Sequence, residues 1–268
     1  MANQTLADRF RTLDSQRRLK LERARDAARI TIPSLLPPEG YGENESLYKP
    51  YSAIPARGVT AMASRMLSAL IPLNEQPFFK FSLESGVKPS LEIENYLEVL
   101  SYQLYTKIKS QNLRETVFLA LQHLIVVGDV LFIIEDDMST RLIRLDHYVV
   151  RRDVIGSIKE IIFVEYELNE DEESLYGTFS AGSPHSQTKM GYDPIYVQCV
   201  YNEKKDEWGF KKEKNEEVIE TGKYKVLPFI PLRWGSTVGD NYGRSHCEDI
   251  IGDISALEAY SEALIEGL

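Results

Sequence analysis

Asn112 to Arg152 reads NLRETVFLALQHLIVVGDVLFIIEDDMSTRLIRLDHYVVRR, and a change of rhythm inside it decides the fold class. From about Asn112 to Val127 the apolar residues recur at helical spacing, and Gly128 is a natural C-terminal stop. Beyond it, Val130–Ile134, Arg141–Leu145 and Tyr148–Arg152 are short β-branched or aromatic runs separated by turn residues, and Ile158–Leu168 continues the series. A helix feeding an antiparallel meander is the reading, and the chain is therefore expected to be α+β.

Working toward the C-terminus, Asn169–Tyr192 is acidic and then Gly/Ser/Pro-containing, which predicts a surface excursion. Strand character resumes at Pro194–Asn202, Trp208–Lys212, Glu216–Glu220 and Pro228–Arg233, and Trp234–Gly243 is a hinge with glycines at 235, 239 and 243. The final segment is helical. Ile250, Ile254, Leu257, Leu264 and Leu268 are expected on its packing face, with Glu258, Glu262 and Glu266 in a solvated stripe beside them. Working toward the N-terminus, Leu91–Ile108 and Ala56–Leu70 have helical periodicity, Phe78–Phe81 looks like a short strand, and the prolines of Thr31–Pro38 break the chain. Thr5 and Asp8 form a weak capping signal for one amphipathic, Arg-rich first helix running to Arg29.

Charge separates the two ends. Net charge is −10, yet residues 1–30 hold eight Lys/Arg against four Asp/Glu, while residues 240–268 hold seven Asp/Glu and only Arg244. An acidic chain lacks the overall basic surface of a protein that grips nucleic acid tightly. Cys199 and Cys247 form no paired motif, so neither a disulfide framework nor a Cys-based zinc site is expected, and a reducing compartment fits. Met1–Phe10 lacks the apolar core of a secretory signal, and Gln122, His123, Gly128 and Asp129 interrupt the one stretch, Val117–Ile134, long enough to suggest a membrane span. No membrane partner is expected.

Motifs for catalysis are missing. No Gly-x-x-x-x-Gly-Lys-Ser/Thr string exists to cradle a phosphate, and Gly222-Lys223 lacks both the first glycine and the hydroxyl. Glu135-Asp136-Asp137 falls where a hairpin turn is expected, so a solvated turn is favoured over a cation site. His123 reads as a satisfied core imidazole; His147 beside Asp146 suggests a base with its orienting group, but no nucleophile motif accompanies them. His185 and His246 fall in loop and helix-start contexts, and Cys199 reads as sheet packing. No catalytic residue, cofactor or metal is assigned. The basic first helix is expected to pair with acidic neighbours or an adjacent subunit, with Arg17, Arg18 and Arg25 as the contact residues, in preference to free DNA.

Six strings, in order, carry a resemblance: Arg29-Ile-Thr-Ile-Pro-Ser-Leu-Leu-Pro37, Ala56-Arg-Gly58, Ala63-Ser-Arg-Met-Leu-Ser-Ala-Leu-Ile-Pro72, Gly128-Asp-Val-Leu131, Tyr148-Val-Val-Arg-Arg-Asp153 and Tyr242-Gly-Arg-Ser245. Together the chain resembles the N-terminal part of the portal, or head-to-tail connector, family of short-tailed bacteriophages. The resemblance implies a subunit of a ring, typically a dodecamer, made in the host cytoplasm and set at one capsid vertex of the virion. Double-stranded DNA would pass through it during packaging and ejection, and its partners would be the major capsid protein, scaffold, terminase motor and tail adaptor. It also implies that residues 1–240 form the wing and 241–268 begin a stem helix, with the clip, second stem helix and crown of the family absent from this chain. Glu258, Glu262 and Glu266 would then line the DNA channel, where carboxylates keep a sliding duplex from sticking. Two other readings compete: a metal-dependent nucleic-acid-processing enzyme using Glu135 and Asp146, and a DNA-binding adaptor using the basic first helix.

Overall fold

The run Val130-Leu-Phe-Ile-Ile134 is apolar at every position because both of its faces are covered, as the computed structural model of the chain shows. The structure describes residues 5–42, 45–73, 76–83, 90–168, 192–236 and 238–267; the excursion expected over Asn169–Tyr192 lies almost wholly outside them. Seven α-helices and eight strands are described: α1 (Leu6–Gln16), α2 (Arg18–Arg29), α3 (Ile54–Leu70), α4 (Leu91–Lys109), α5 (Leu113–Val126), β1 (Asp129–Ile134), β2 (Thr140–Ile143), β3 (Tyr148–Arg152), β4 (Ile158–Leu168), β5 (Tyr192–Asn202), β6 (Glu207–Lys214), β7 (Glu217–Tyr224), β8 (Phe229–Arg233), α6 (His246–Asp249) and α7 (Ile251–Glu266).

The strands form two antiparallel sheets. One is the meander β3-β4-β5-β6-β7, and the other has the order β2-β1-β8, so that β8 returns to pair with β1 along Asp129–Ile133. Alternation along the meander sorts its side chains. Val149, Ile162, Val164 and Tyr196 point to α1, where Leu6, Phe10 and Leu13 cover them. Tyr148, Val150, Ile161, Phe163, Val197 and Cys199 point the other way, into the main core shared with α2, α3 and α5.

α1 is fixed to the sheet by charge as well as by area. Thr5 caps it through Asp8 N, Glu213 accepts from Leu6 N at 2.9 Å, and Arg9 donates twice to the buried Glu160. Burial pushes the Glu160 carboxyl up, but Arg9, Gln198 and Arg151 outweigh it and hold it below its usual range.

In the N-terminal half the structure departs from sequence expectation at two elements. Arg17 breaks the expected first helix into α1 and α2, because its side chain turns into the core, donating to Asp14 and to Leu145 O. Phe78–Phe81 pairs with no strand among the described residues; its aromatic rings pack edge-on against one another and against Tyr105 of α4. Among the described residues no helix is long and apolar enough to cross a membrane.

Candidate functional site

α7 carries the three glutamates, and its buried stripe is shifted relative to expectation: Ile254 packs as expected, but Glu258 is buried with it and Leu264 is not. Ile254 and Glu258 are its buried residues, Glu258 only 6% exposed, whereas Leu264 is 67% and Tyr260 74% exposed. The cause is the segment Tyr48–Ser52, which crosses α7 as a strap. Glu258 Oε1 accepts from Tyr48 Oη at 2.9 Å and from Tyr51 N at 2.7 Å, and Oε2 accepts from Ser52 N at 3.1 Å. A carboxylate so placed satisfies two backbone donors that have no ladder partner.

The stripe continues along the strap. The Tyr51 phenol is raised above its ordinary range by the charge of Glu262, then by desolvation and by Glu266. Tyr48 is raised by desolvation and by its bond to Glu258, and Arg29, at the end of α2, lies 5.1 Å over its ring. Thus Glu258 is not solvated, Glu262 is half-buried, and Glu266 is exposed.

The three arginines do not come together. Arg17 is buried, with its guanidinium 5.5 Å over the ring of Tyr242. Arg18 is exposed and pairs with Glu22 at 3.2 Å, and Arg25 faces Glu39 at 3.7 Å. Arg17 is therefore an internal fastener, and only Arg18 of the three presents its charge outward.

Sequence reading missed the polar node under the hinge. Lys20 Nζ donates to Val127 O at 3.0 Å and stands 3.6 Å from both Asp129 and Glu248, all of them buried or nearly so. Asp129 accepts from Gly243 N at 2.8 Å, Tyr242 Oη accepts from Val150 N, and Asn241 Oδ1 accepts from Arg152 N. Burial, only partly offset by Lys20 and the Gly243 bond, pushes the Asp129 carboxyl up to about 6. Gly128 has φ +90°, and a Cβ there would stand 2.8 Å from Ser245 N, so glycine alone fits. Gly128–Leu131, Tyr148–Asp153 and Tyr242–Ser245, far apart in the chain, are thereby packed into one junction beside a cleft of about 370 Å³. A signal existed: each string pairs small or polar residues with apolar ones where neither period continues.

The side chains considered for hydrolysis are each committed elsewhere. Glu135 pairs with Arg141. Asp146 is buried between His147 Nδ1 at 2.7 Å and Arg144 at 2.9 Å; burial pushes its carboxyl up, but those neighbours, with Arg25, hold it well below the usual range. Buried His123 is pushed down to about 4, and desolvation raises Cys199 to about 12 and Cys247 to about 11, which leaves both thiols un-ionised at neutral pH. Among the described residues no three His, Cys, Asp or Glu side chains are grouped as a metal ion would need, which counts against the metal-dependent enzyme reading.

Comparison with known proteins gives a family. A family model described as bacteriophage head to tail connecting protein matches residues 3–268. The chain is similar to the portal protein of Enterobacteria phage T3, 29% identical over 275 residues that cover 95% of this chain and 50% of the relative. It is similar also to the portal protein of Escherichia phage T7, 27% identical over 267 residues covering 91% and 48%, and to that of Enterobacteria phage SP6, 24% identical over 262 residues covering 92% and 50%. The chain spans about half the length of these curated relatives.

Proposed function

The chain belongs to the bacteriophage head to tail connecting family, and from that membership we propose that it is a portal subunit of a short-tailed phage. In this reading it assembles into a ring, dodecameric as the resemblance implies, at one vertex of the virion capsid. The ring serves as the conduit for double-stranded DNA in packaging and ejection and joins head to tail. Residues 1–240 act as the wing and 241–268 as the start of the stem. Capsid protein, scaffold, terminase and tail adaptor are the partners, and no catalysis is assigned to the chain itself.

The observation that carries the reading is the family match over residues 3–268, and the junction of three of its characteristic strings gives that match a physical sense. A conduit subunit needs a stiff joint between its outer body and the helix beside the path. The Lys20–Asp129–Gly243 node is such a joint, tying α2 and β1 to the segment that leads into α6 and α7. For the path itself we assign Glu262 and Glu266; Glu258 is occupied by the strap. The adaptor reading has fewer free cations to draw on than the sequence offers, since Arg17 is buried, Arg9 is paired with Glu160, Arg18 with Glu22 and Arg23 with Glu248.

Electron microscopy of the particle, with a tag on this chain, tests the proposal. A central-pored ring at one vertex bearing the tag is expected; a tag spread over the shell, or on the tail fibres, would overturn it.

A further inference from the structure

α4 is seated on its neighbours by a single narrow stripe. Leu97, Ser101, Leu104, Tyr105 and Ile108 face inward, and Ser101 Oγ donates to Leu97 O while accepting from Phe81 N. The rest of its circumference is exposed, and Leu91, Ile93, Tyr96, Val99, Leu100 and Tyr102 stand on it. A groove of about 770 Å³ at its foot, lined by Phe81, Leu83, Leu97 and Tyr102 among others, extends this apolar surface. Isolated exposed apolar residues need no explanation, but six large ones on one helix, interleaved with polar side chains, mark a surface suited to cover by another protein.

Charge says which molecule. Glu92 stands within this surface, one turn from Tyr96, and Glu94 and Glu98 stand at its edge on the groove; all three are exposed and pair with no cation among the described residues, Lys80 of the same groove included. The outer face of α3 is its counterpart. Arg57 and Arg65 are exposed there and pair with no carboxylate among the described residues; α3 contains no acidic residue. Between and beyond them Gly58, Ala61, Ser64 and Ser68 are small and exposed, a flat bed on which bulky side chains can lie.

We propose that the exposed face of α4 in one copy of this chain docks on the outer face of α3 in the next copy. The two faces differ, so the contact is heterologous: each copy offers an α4 face to one neighbour and an α3 face to the other, and repetition closes a ring when the rotation allows. This inference rests on the ring reading above and names the surface that would build it.

Sedimentation of the full chain, alone and in mixtures, is the test. Glu94→Arg with Glu98→Arg should weaken self-association about tenfold or more by placing like charges together, and Arg57→Glu with Arg65→Glu should do the same. An equimolar mixture of the two variants should restore it, because each altered face then meets its complement in the other variant. Val99→Cys in one batch and Ala61→Cys in another should form disulfide-linked pairs only on mixing, since Cys199 and Cys247 are buried. Oligomers that neither charge variant disturbs would overturn the surface and leave the ring standing. Weakening without rescue in the mixture would overturn the α3 pairing in favour of another protein on α4. A wild-type chain that never self-associates would overturn surface and ring together.

Discussion

Arg17 works at the joint between α1 and α2, where its guanidinium offsets Asp14, donates to Leu145 O and stacks on Tyr242. Replacing it with Met leaves that carbonyl without its donor and Asp14 without its cation. Arg17→Met should therefore cost about 3 kcal/mol or more, against about 0.5 for the exposed Arg18→Met, as denaturant midpoints will report. His123 predicts a pH effect. Burial lowers its pKa from 6.5 to about 4, so its contribution to stability is present above pH 6.5 and is lost as pH falls toward 4. Asp129 has the opposite sign: its raised pKa contributes stability that is present below the ordinary carboxyl range and is lost as pH rises through about 6. His123→Leu should remove the first effect, by an amount on the order of 3 kcal/mol, and leave a protein that gains stability on mild acidification; urea titrations at pH 7 and pH 4.5 read the difference.

The strap and α7 act as one element. Glu258→Gln turns one of its accepting oxygens into a donor facing Tyr51 N or Ser52 N, which should cost about 1–3 kcal/mol and speed exchange of those two amides at least tenfold. Glu266→Gln, at an exposed position, should leave their exchange unchanged. The same contrast shows where sequence reading stops. The meander, the α5 to β1 switch and the Gly128 stop were legible because each is a local rhythm closed by a turn residue. The role of Glu258 was not, since a carboxylate on helical period looks solvated until the segment it binds, some two hundred residues away in sequence, is known to lie over it. Arg17 was illegible for the same reason: a basic residue in a basic run carries no mark of burial, and its partners Leu145 and Tyr242 are remote in sequence.

At the scale of the whole molecule the distribution of charge matters more than its total. Reversing Glu262 and Glu266 to Lys should leave assembly intact and slow DNA passage, most clearly at low salt, because screening at 0.1 M already shortens the field to about 10 Å. Packaging and ejection rates of particles carrying the double variant, measured across a salt series, check this. The strap has another consequence, one of timing. Tyr48 meets Glu258 across 210 positions of sequence and Leu6 meets Glu213 across 207. Contacts of such separation are slow to close, and neither the Leu6 amide nor the strap can find its acceptor until the chain has grown past Glu213 and Glu258 respectively. During synthesis α2 can dock early, on Val127, and the joint between α1 and α2 on Leu145, whereas the strap must wait, exposed, until α7 has emerged from the ribosome. The amides of Leu6, Tyr51 and Ser52 should be the last to gain protection when the unfolded chain is returned to native conditions.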